Sequence, residues 1–137
     1  MCKGLIPCNK QSGQDCKECY KYGKKVLSPE DSFQPINGKL CDCIIQCDGF
    51  YIIVEIKNGK VTSREAKDVI EQLKNCEDGL RGKCGANSQY SKVLLYEKFD
   101  IPPAKSEQIK SLLKKERIEY YSIKNLKGKK ICQYKKA

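Results

Sequence analysis

The sequence predicts an α/β fold: a central mixed β-sheet flanked by helices, with a cysteine-rich segment at the N-terminus. Two apolar, β-branched runs meet at Asp48-Gly49, which is a strong signal for a β-hairpin. The second run, residues 50–56, is apolar on both faces, as is typical of a strand covered by helices on both sides. After the hairpin, segments with helical periodicity alternate with further strand-like segments.

The cysteines divide the chain into two parts, a cysteine-rich segment at residues 1–27 and an α/β domain with a basic tail at residues 28–137. Four of the ten cysteines lie in the first part: Cys2, Cys8, Cys16 and Cys19. The last two resemble one knuckle of a zinc ribbon, because two thiolates at this spacing bind one tetrahedral ion. Structural Zn²⁺, disulfide bonds and free thiols stay open, since intracellular proteins of hyperthermophiles are also disulfide-rich.

The other elements follow from turn residues and periodicity. Ser28-Pro29 predicts a turn or a helix start, and a capping box, Thr62-x-x-Glu65, begins the helix after the hairpin. A helix between the last two strands predicts a crossover with parallel pairing. In chain order we expect a short strand at 32–35, the hairpin, a helix at 63–75, a strand at 92–99, a helix at 106–116 and a strand at 118–123.

The hairpin brings two carboxylates and a lysine together. With Asp48-Gly49 as the central turn residues, counting outward places Asp42 opposite Glu55. Lys57 lies on the face of Glu55, because side chains alternate along a strand. Opposed like charges destabilise a sheet, so this pair indicates a divalent cation; neutralisation of Glu55 by Lys57 alone is the simpler alternative. Three cysteines fall on the opposite face, as core residues or partners of the N-terminal cysteines: Cys41, Cys43 and Cys47.

The charge of the chain favours a polyanionic partner. Lysine and arginine outnumber aspartate and glutamate by 27 to 17, which gives a net charge of +10. Nucleic acid is therefore the expected partner, ahead of an anionic membrane surface. No segment is apolar enough for a spanning helix or a signal peptide, so we expect a soluble, intracellular, cytoplasmic protein. Cations expected to bind phosphates lie in a flexible loop at 76–91 and in the tail: Arg81, Lys83, Lys127, Lys129 and Lys130.

Histidine is absent from the sequence. This excludes Ser-His-Asp and Cys-His catalysis, zinc hydrolases with two histidine ligands, and nucleases with a histidine general base. Acid–base chemistry would have to use carboxylates, lysine, tyrosine, thiols or metal-bound water.

Asp42, followed after twelve residues by Glu55-Ile56-Lys57, resembles the PD-(D/E)XK nuclease superfamily, in which an aspartate on one strand precedes (D/E)-x-K on the next. The resemblance covers residues 28–99, and Cys41 stands where the superfamily has proline. It implies a restriction-endonuclease-like core, and the predicted order of elements agrees with that core. In size the chain is similar to the compact archaeal Holliday-junction resolvases, whose function requires a homodimer.

The resemblance implies a metal-dependent endonuclease that hydrolyses phosphodiester bonds in nucleic acid, with DNA as the expected substrate. Asp42, Glu55 and the backbone carbonyl of Ile56 would hold Mg²⁺ or Mn²⁺ against the scissile phosphate. Lys57 would orient the attacking water and act electrostatically. A non-catalytic nucleic-acid-binding module, held together by zinc or disulfides, is the alternative function. An inactive nuclease fold that serves as a scaffold is a third.

Two more residues are candidates for the site on the same resemblance. Gln72 on the predicted helix matches a residue that often faces the active site in the superfamily, although an ordinary exposed glutamine explains it equally well. Glu30 is the nearest candidate for an upstream acid, with helix capping as the alternative.

Overall fold

A five-stranded mixed β-sheet forms the centre of this computed structural model, which describes residues 2–33, 38–99 and 103–134. The helices lie on both faces of the sheet, so the predicted α/β class is confirmed. The elements in chain order are α1 (Gln14–Glu18), a 3₁₀ turn (Cys19–Lys21), β1 (Lys25–Leu27), α2 (Pro29–Ser32), β2 (Cys43–Gln46), β3 (Tyr51–Val61), α3 (Ser63–Cys84), β4 (Tyr90–Phe99), α4 (Pro103–Lys115), β5 (Ile118–Ser122), α5 (Ile123–Leu126) and α6 (Ile131–Tyr134).

The strands lie side by side in chain order, from β1 to β5. β1, β2 and β3 pair antiparallel, whereas β4 pairs parallel to both β3 and β5, as the crossover through α4 predicts. The register of the β2–β3 hairpin is the predicted one: Ile44 pairs with Ile53, and Gln46 pairs with Tyr51. The Asp-Gly turn therefore determines which side chains of the two strands share a face.

Each face of the sheet carries its own apolar core. On one face, α3 and α4 cover alternate residues of β3, including Tyr51 and Ile53. On the other face, α1, α5 and α6 cover Ile52 and Val54. A strand buried on both faces was the sequence expectation for this run, and it is confirmed.

Helix α3 is longer than predicted, so the prediction of a flexible loop at 76–91 is wrong. The helix continues to Cys84, because Cys76 and Leu80 extend its buried stripe on the sheet. Gly79 does not break it, since its missing side chain leaves room for the Phe33 ring. The helix ends at Gly85, whose φ of +89° favours glycine. Arg81 and Lys83 lie on its last turn.

Both predicted helix starts are confirmed. The Ser28 side chain accepts a hydrogen bond from the Asp31 amide at the start of α2. The Thr62 hydroxyl accepts one from the Glu65 amide at the start of α3, at 3.2 Å. The short strand predicted at 32–35 is not found where the chain is described, because Ser32 ends α2; residues 34 and 35 lie outside the described residues.

All ten cysteines form disulfides. The pairs are Cys2–Cys84, Cys8–Cys16, Cys19–Cys43, Cys41–Cys76 and Cys47–Cys132. Of the three alternatives for the N-terminal cysteines, disulfides are therefore the one found. The zinc knuckle is wrong, because sulfurs joined in pairs do not supply the thiolates that Zn²⁺ needs.

The predicted face is right for Cys43 and Cys47 and wrong for Cys41. Cys41 packs on the α3 side, whereas Cys43 and Cys47 pack on the opposite side. Regular β2 begins only at Cys43, so the alternation of faces does not extend back to Cys41.

The lysine-rich tail is tied to the sheet as far as it is described. Leu126 and Ile131 are buried, and Cys132 joins Cys47 at the hairpin. Lys130 Nζ donates a hydrogen bond to the Tyr20 carbonyl at 2.9 Å. Within the three described ranges, no helix combines the length and the apolar character needed to cross a bilayer.

Candidate active site

The first part of the site is a pair of acids, Asp42 and Glu55, at the open end of the hairpin. Backbone amides donate hydrogen bonds to both carboxylates. The Asp42 amide donates to Val54 O at 3.1 Å and to Glu55 Oε1 at 3.0 Å. In return, the Ile56 amide donates to Asp42 Oδ2 at 2.8 Å. Each carboxylate is thus held by backbone next to the other acid. This agrees with the opposition predicted from the turn.

Lys57 and Gln72 complete the cluster around Glu55. Lys57 Nζ lies 3.7 Å from Glu55 Oε2; Glu55 is 2% exposed and Lys57 is 27% exposed. When the Gln72 amide is oriented so that its nitrogen faces oxygen acceptors, it donates to Glu55 Oε2 at 3.0 Å and to Asp68 O at 3.2 Å. The structure therefore brings together the four side chains that the sequence singled out, from β3, α3 and the residue before β2.

The carboxyls of the cluster resist ionisation. Burial, followed by the charge of Asp42, raises the pKa of Glu55 to about 8. Burial also raises the pKa of Asp42 to about 6, with further contributions from Asp15 and Glu18. Lys57 and the backbone hydrogen bonds act in the opposite direction and are outweighed. Full ionisation of both carboxyls therefore requires positive charge beyond that of Lys57.

A cleft of about 550 Å³ opens next to Asp42 and Gln72. Asp15 on α1 and Glu30 on α2 also line it. Lys39 contributes a positive charge to the same lining. Glu30, the candidate upstream acid, thus shares the cleft with Asp42. The walls of this cleft are acidic, in contrast to the net charge of the chain.

Asp15 is a cleft residue that sequence reasoning missed. It precedes Cys16, and the disulfides Cys8–Cys16 and Cys19–Cys43 fix α1 beside β2. No local pattern in the sequence signals this placement, because it depends on how the cysteines pair. The cysteines indicate disulfides as one of three alternatives, but their spacing does not say which cysteines pair.

The donor set fits Mg²⁺ or Mn²⁺. Across the described part of the chain, no cluster of three or more histidine, cysteine, aspartate or glutamate side chains is arranged to hold a metal ion. Mg²⁺ does not need such a cluster, because it usually binds one or two carboxylates and keeps several waters. Asp42 and Glu55 supply two carboxyl groups, and a bound cation would favour their ionised forms. The Ile56 carbonyl points to the same edge of β3 as the Ile56 amide that reaches Asp42.

The predicted phosphate-binding cations are not residues of the cleft. Arg81 and Lys83 lie at the end of α3, where Lys83 Nζ donates to Gly4 O at 3.1 Å. The other three, Lys127, Lys129 and Lys130, lie between α5 and α6. The structure therefore places these five residues on two separate surfaces, neither of which lines the acidic cleft.

Comparisons with family models, curated proteins and solved structures found no match to this chain.

Proposed function

We propose that the protein is a metal-dependent endonuclease that hydrolyses phosphodiester bonds in nucleic acid, with DNA as the expected substrate. The observation that supports this most is the Glu55 carboxyl, which is buried against Asp42 and paired with Lys57. Buried acids with raised pKa values are costly to the fold, and such groups cluster at functional sites. Of this pair, Asp42 lines the cleft, and the buried Glu55 does not.

In this proposal Asp42, Glu55 and the Ile56 carbonyl hold Mg²⁺ or Mn²⁺. When bound, the ion supplies Lewis-acid activation of water and neutralises charge on the scissile phosphate. The Ile56 amide orients the Asp42 carboxylate, and Gln72 orients Oε2 of Glu55. Lys57 extends from the same strand into solvent, where its ammonium orients the attacking water and counters the phosphate charge.

Sequence-independent affinity for the phosphate backbone would come from the two cationic surfaces. One is the last turn of α3, with Arg81 and Lys83; the other is the segment 127–130. A homodimer of the resolvase type would place two clefts on one branched substrate. Five disulfides and a nucleic-acid substrate together suit an intracellular protein of a hyperthermophile.

The test is cleavage of supercoiled, linear and branched DNA, and of RNA, in Mg²⁺ or Mn²⁺ with and without EDTA. We expect metal-dependent cutting that Asp42→Asn and Glu55→Gln each abolish while nucleic-acid binding survives. Glu77→Gln is the matched control, because Glu77 is another partly buried carboxylate with a lysine partner, Lys92, at 3.3 Å. It is not a cleft residue, so its variant should cut as well as the wild type.

Two results would contradict the proposal. Equal cutting by the Asp42→Asn and Glu55→Gln proteins would identify a contaminating nuclease. Binding without cleavage of any substrate, in either metal, would favour the non-catalytic binding module.

A further inference from the structure

Asp42 lies between two cysteines that form disulfides on opposite sides of the sheet. Cys43 belongs to β2, where it pairs with Val54 and also joins Cys19. Cys41 precedes the regular strand and joins Cys76 of α3. β-Pairing holds Cys43 in place, and the Asp42 amide is bonded to Val54 O. The bond at Cys41 ties the same segment to α3.

Two further contacts hold the segment before β2 against α3. The Cys41 amide donates to Cys76 Sγ at 3.0 Å, and both residues are buried. Asn75 Nδ2 donates to the Lys39 carbonyl at 2.8 Å. All of these contacts fall on one turn of the helix.

The same part of α3 also contacts the second acid of the site. Gln72, which donates to Glu55 Oε2, lies four residues before Cys76 and therefore one turn away on the same helix face. The helix thus contacts Glu55 through Gln72 and the Asp42 segment through Cys76. This short piece of α3 therefore contacts both members of the acid pair, which are also joined by the backbone hydrogen bonds of Asp42 and Ile56.

We propose that Cys41 and Cys76 are positioning residues, whose disulfide holds the Asp42 carboxylate in the place where it binds a divalent cation together with Glu55. The inference rests on the proposed function. It predicts that loss of the Cys41–Cys76 bond weakens metal binding. Loss of an outer contact that orients a metal ligand typically weakens metal binding 10–100-fold.

The variant Cys41→Ala/Cys76→Ser breaks the bond, and the hydroxyl introduced at position 76 can still accept the amide of position 41. The control is Cys47→Ala/Cys132→Ser, which removes the disulfide just after the other end of β2. Its cysteines are 85 residues apart, compared with 35 for Cys41 and Cys76. The control should therefore lose at least as much stability.

The first measurement needs no metal. The Ile56 amide, hydrogen-bonded to Asp42 Oδ2, is followed by nuclear magnetic resonance and hydrogen exchange in EDTA. The other amides of β3 report the overall loss of stability in each variant. Relative to them, we expect the protection of the Ile56 amide to fall and its shift to move in Cys41→Ala/Cys76→Ser but not in the control. Unchanged relative protection in both variants would overturn the inference.

The second measurement is Mn²⁺ affinity by titration calorimetry, without nucleic acid. We expect the dissociation constant to rise by about 10–100-fold in Cys41→Ala/Cys76→Ser and to stay unchanged in the control. Equal affinity in both variants and the wild type would overturn this inference and leave the nuclease proposal standing. A wild type that binds no Mn²⁺ would overturn both.

A milder variant keeps the test decisive if the double variant does not fold. Asn75→Ala removes the hydrogen bond to Lys39 and leaves every disulfide intact. It should weaken Mn²⁺ binding in the same direction and by a smaller factor. Wild-type affinity in this variant would show that the contact with α3 does not position Asp42.

Discussion

The Asp48-Gly49 turn determines which residue Glu55 faces, but it does not determine the burial that raises the pKa of the Glu55 carboxyl. Its position opposite Asp42 follows from counting outward from Asp48-Gly49. Its burial does not follow, because it depends on α3 and on the two covered faces of the sheet. The presence of Asp15 in the cleft could not be predicted from nearby sequence either, because a disulfide holds α1 in place.

The buried acids should make stability depend on pH in the absence of metal. Burial raises the pKa of Glu55 from 4.5 to about 8, so between these values the native state binds more protons than the unfolded state. The free energy of unfolding should therefore fall as pH rises through this window. Asp42 adds to the fall at the acidic end, with a pKa raised by burial from 3.8 to about 6.

Urea unfolding in EDTA at pH 5 and pH 8 measures this dependence. Glu55→Gln has no carboxyl to titrate, so its free energy of unfolding should change less between the two pH values than that of the wild type. An identical pH slope in both proteins would mean that Glu55 ionises normally in the fold.

At the scale of elements, the hairpin and the helix starts were predictable because their signals are local. The Asp-Gly turn and the Thr62 capping box each involve residues close in sequence. The end of α3 was not predictable in this way. Gly79 and Gly82 are residues typical of a loop, but Gly79 makes a tertiary contact with Phe33 that composition does not reveal.

The two glycines of α3 should respond oppositely to alanine. A Cβ at Gly79 would lie 2.7 Å from the Phe33 ring, whereas one at Gly82 would meet no atom within 4 Å. Overpacking of this kind costs about 1–3 kcal/mol, and alanine in a helix gains up to about 1 kcal/mol over glycine. We expect Gly79→Ala to lower the free energy of unfolding and Gly82→Ala to raise it, as measured by urea denaturation. The same sign for both variants would contradict the packing of Phe33 on α3.

At the scale of the whole molecule, disulfides join segments that are distant in sequence. Cys2–Cys84 links the N-terminus to the end of α3, and Cys47–Cys132 links the hairpin to α6. The spacing of the ten cysteines alone could not predict this pairing, because many pairings are compatible with the same spacing. The parallel half of the sheet was predictable, because a helix between two strands leaves few topologies.

Removal of a disulfide should destabilise the fold according to the loop it closes. Cys47 and Cys132 are 85 residues apart, and Cys8 and Cys16 are 8 apart. The chain-entropy estimate is about 4–5 kcal/mol for the longer loop and about 2–3 kcal/mol for the shorter one. Guanidinium unfolding of Cys47→Ala/Cys132→Ser and Cys8→Ala/Cys16→Ser should show this order. The reverse order would mean that strain or residual structure outweighs loop entropy.

The bond between Cys47 and Cys132 has a consequence for damage to the backbone. The turn after α3, at residues 85–89, is largely exposed and lies between these two cysteines in the chain. A protease that cuts there would separate the peptide into two pieces, but the hairpin in one piece and α6 in the other would stay covalently joined. The nicked protein would be heavier by one water and would stay a single covalent molecule until a reductant cleaved the bond between Cys47 and Cys132.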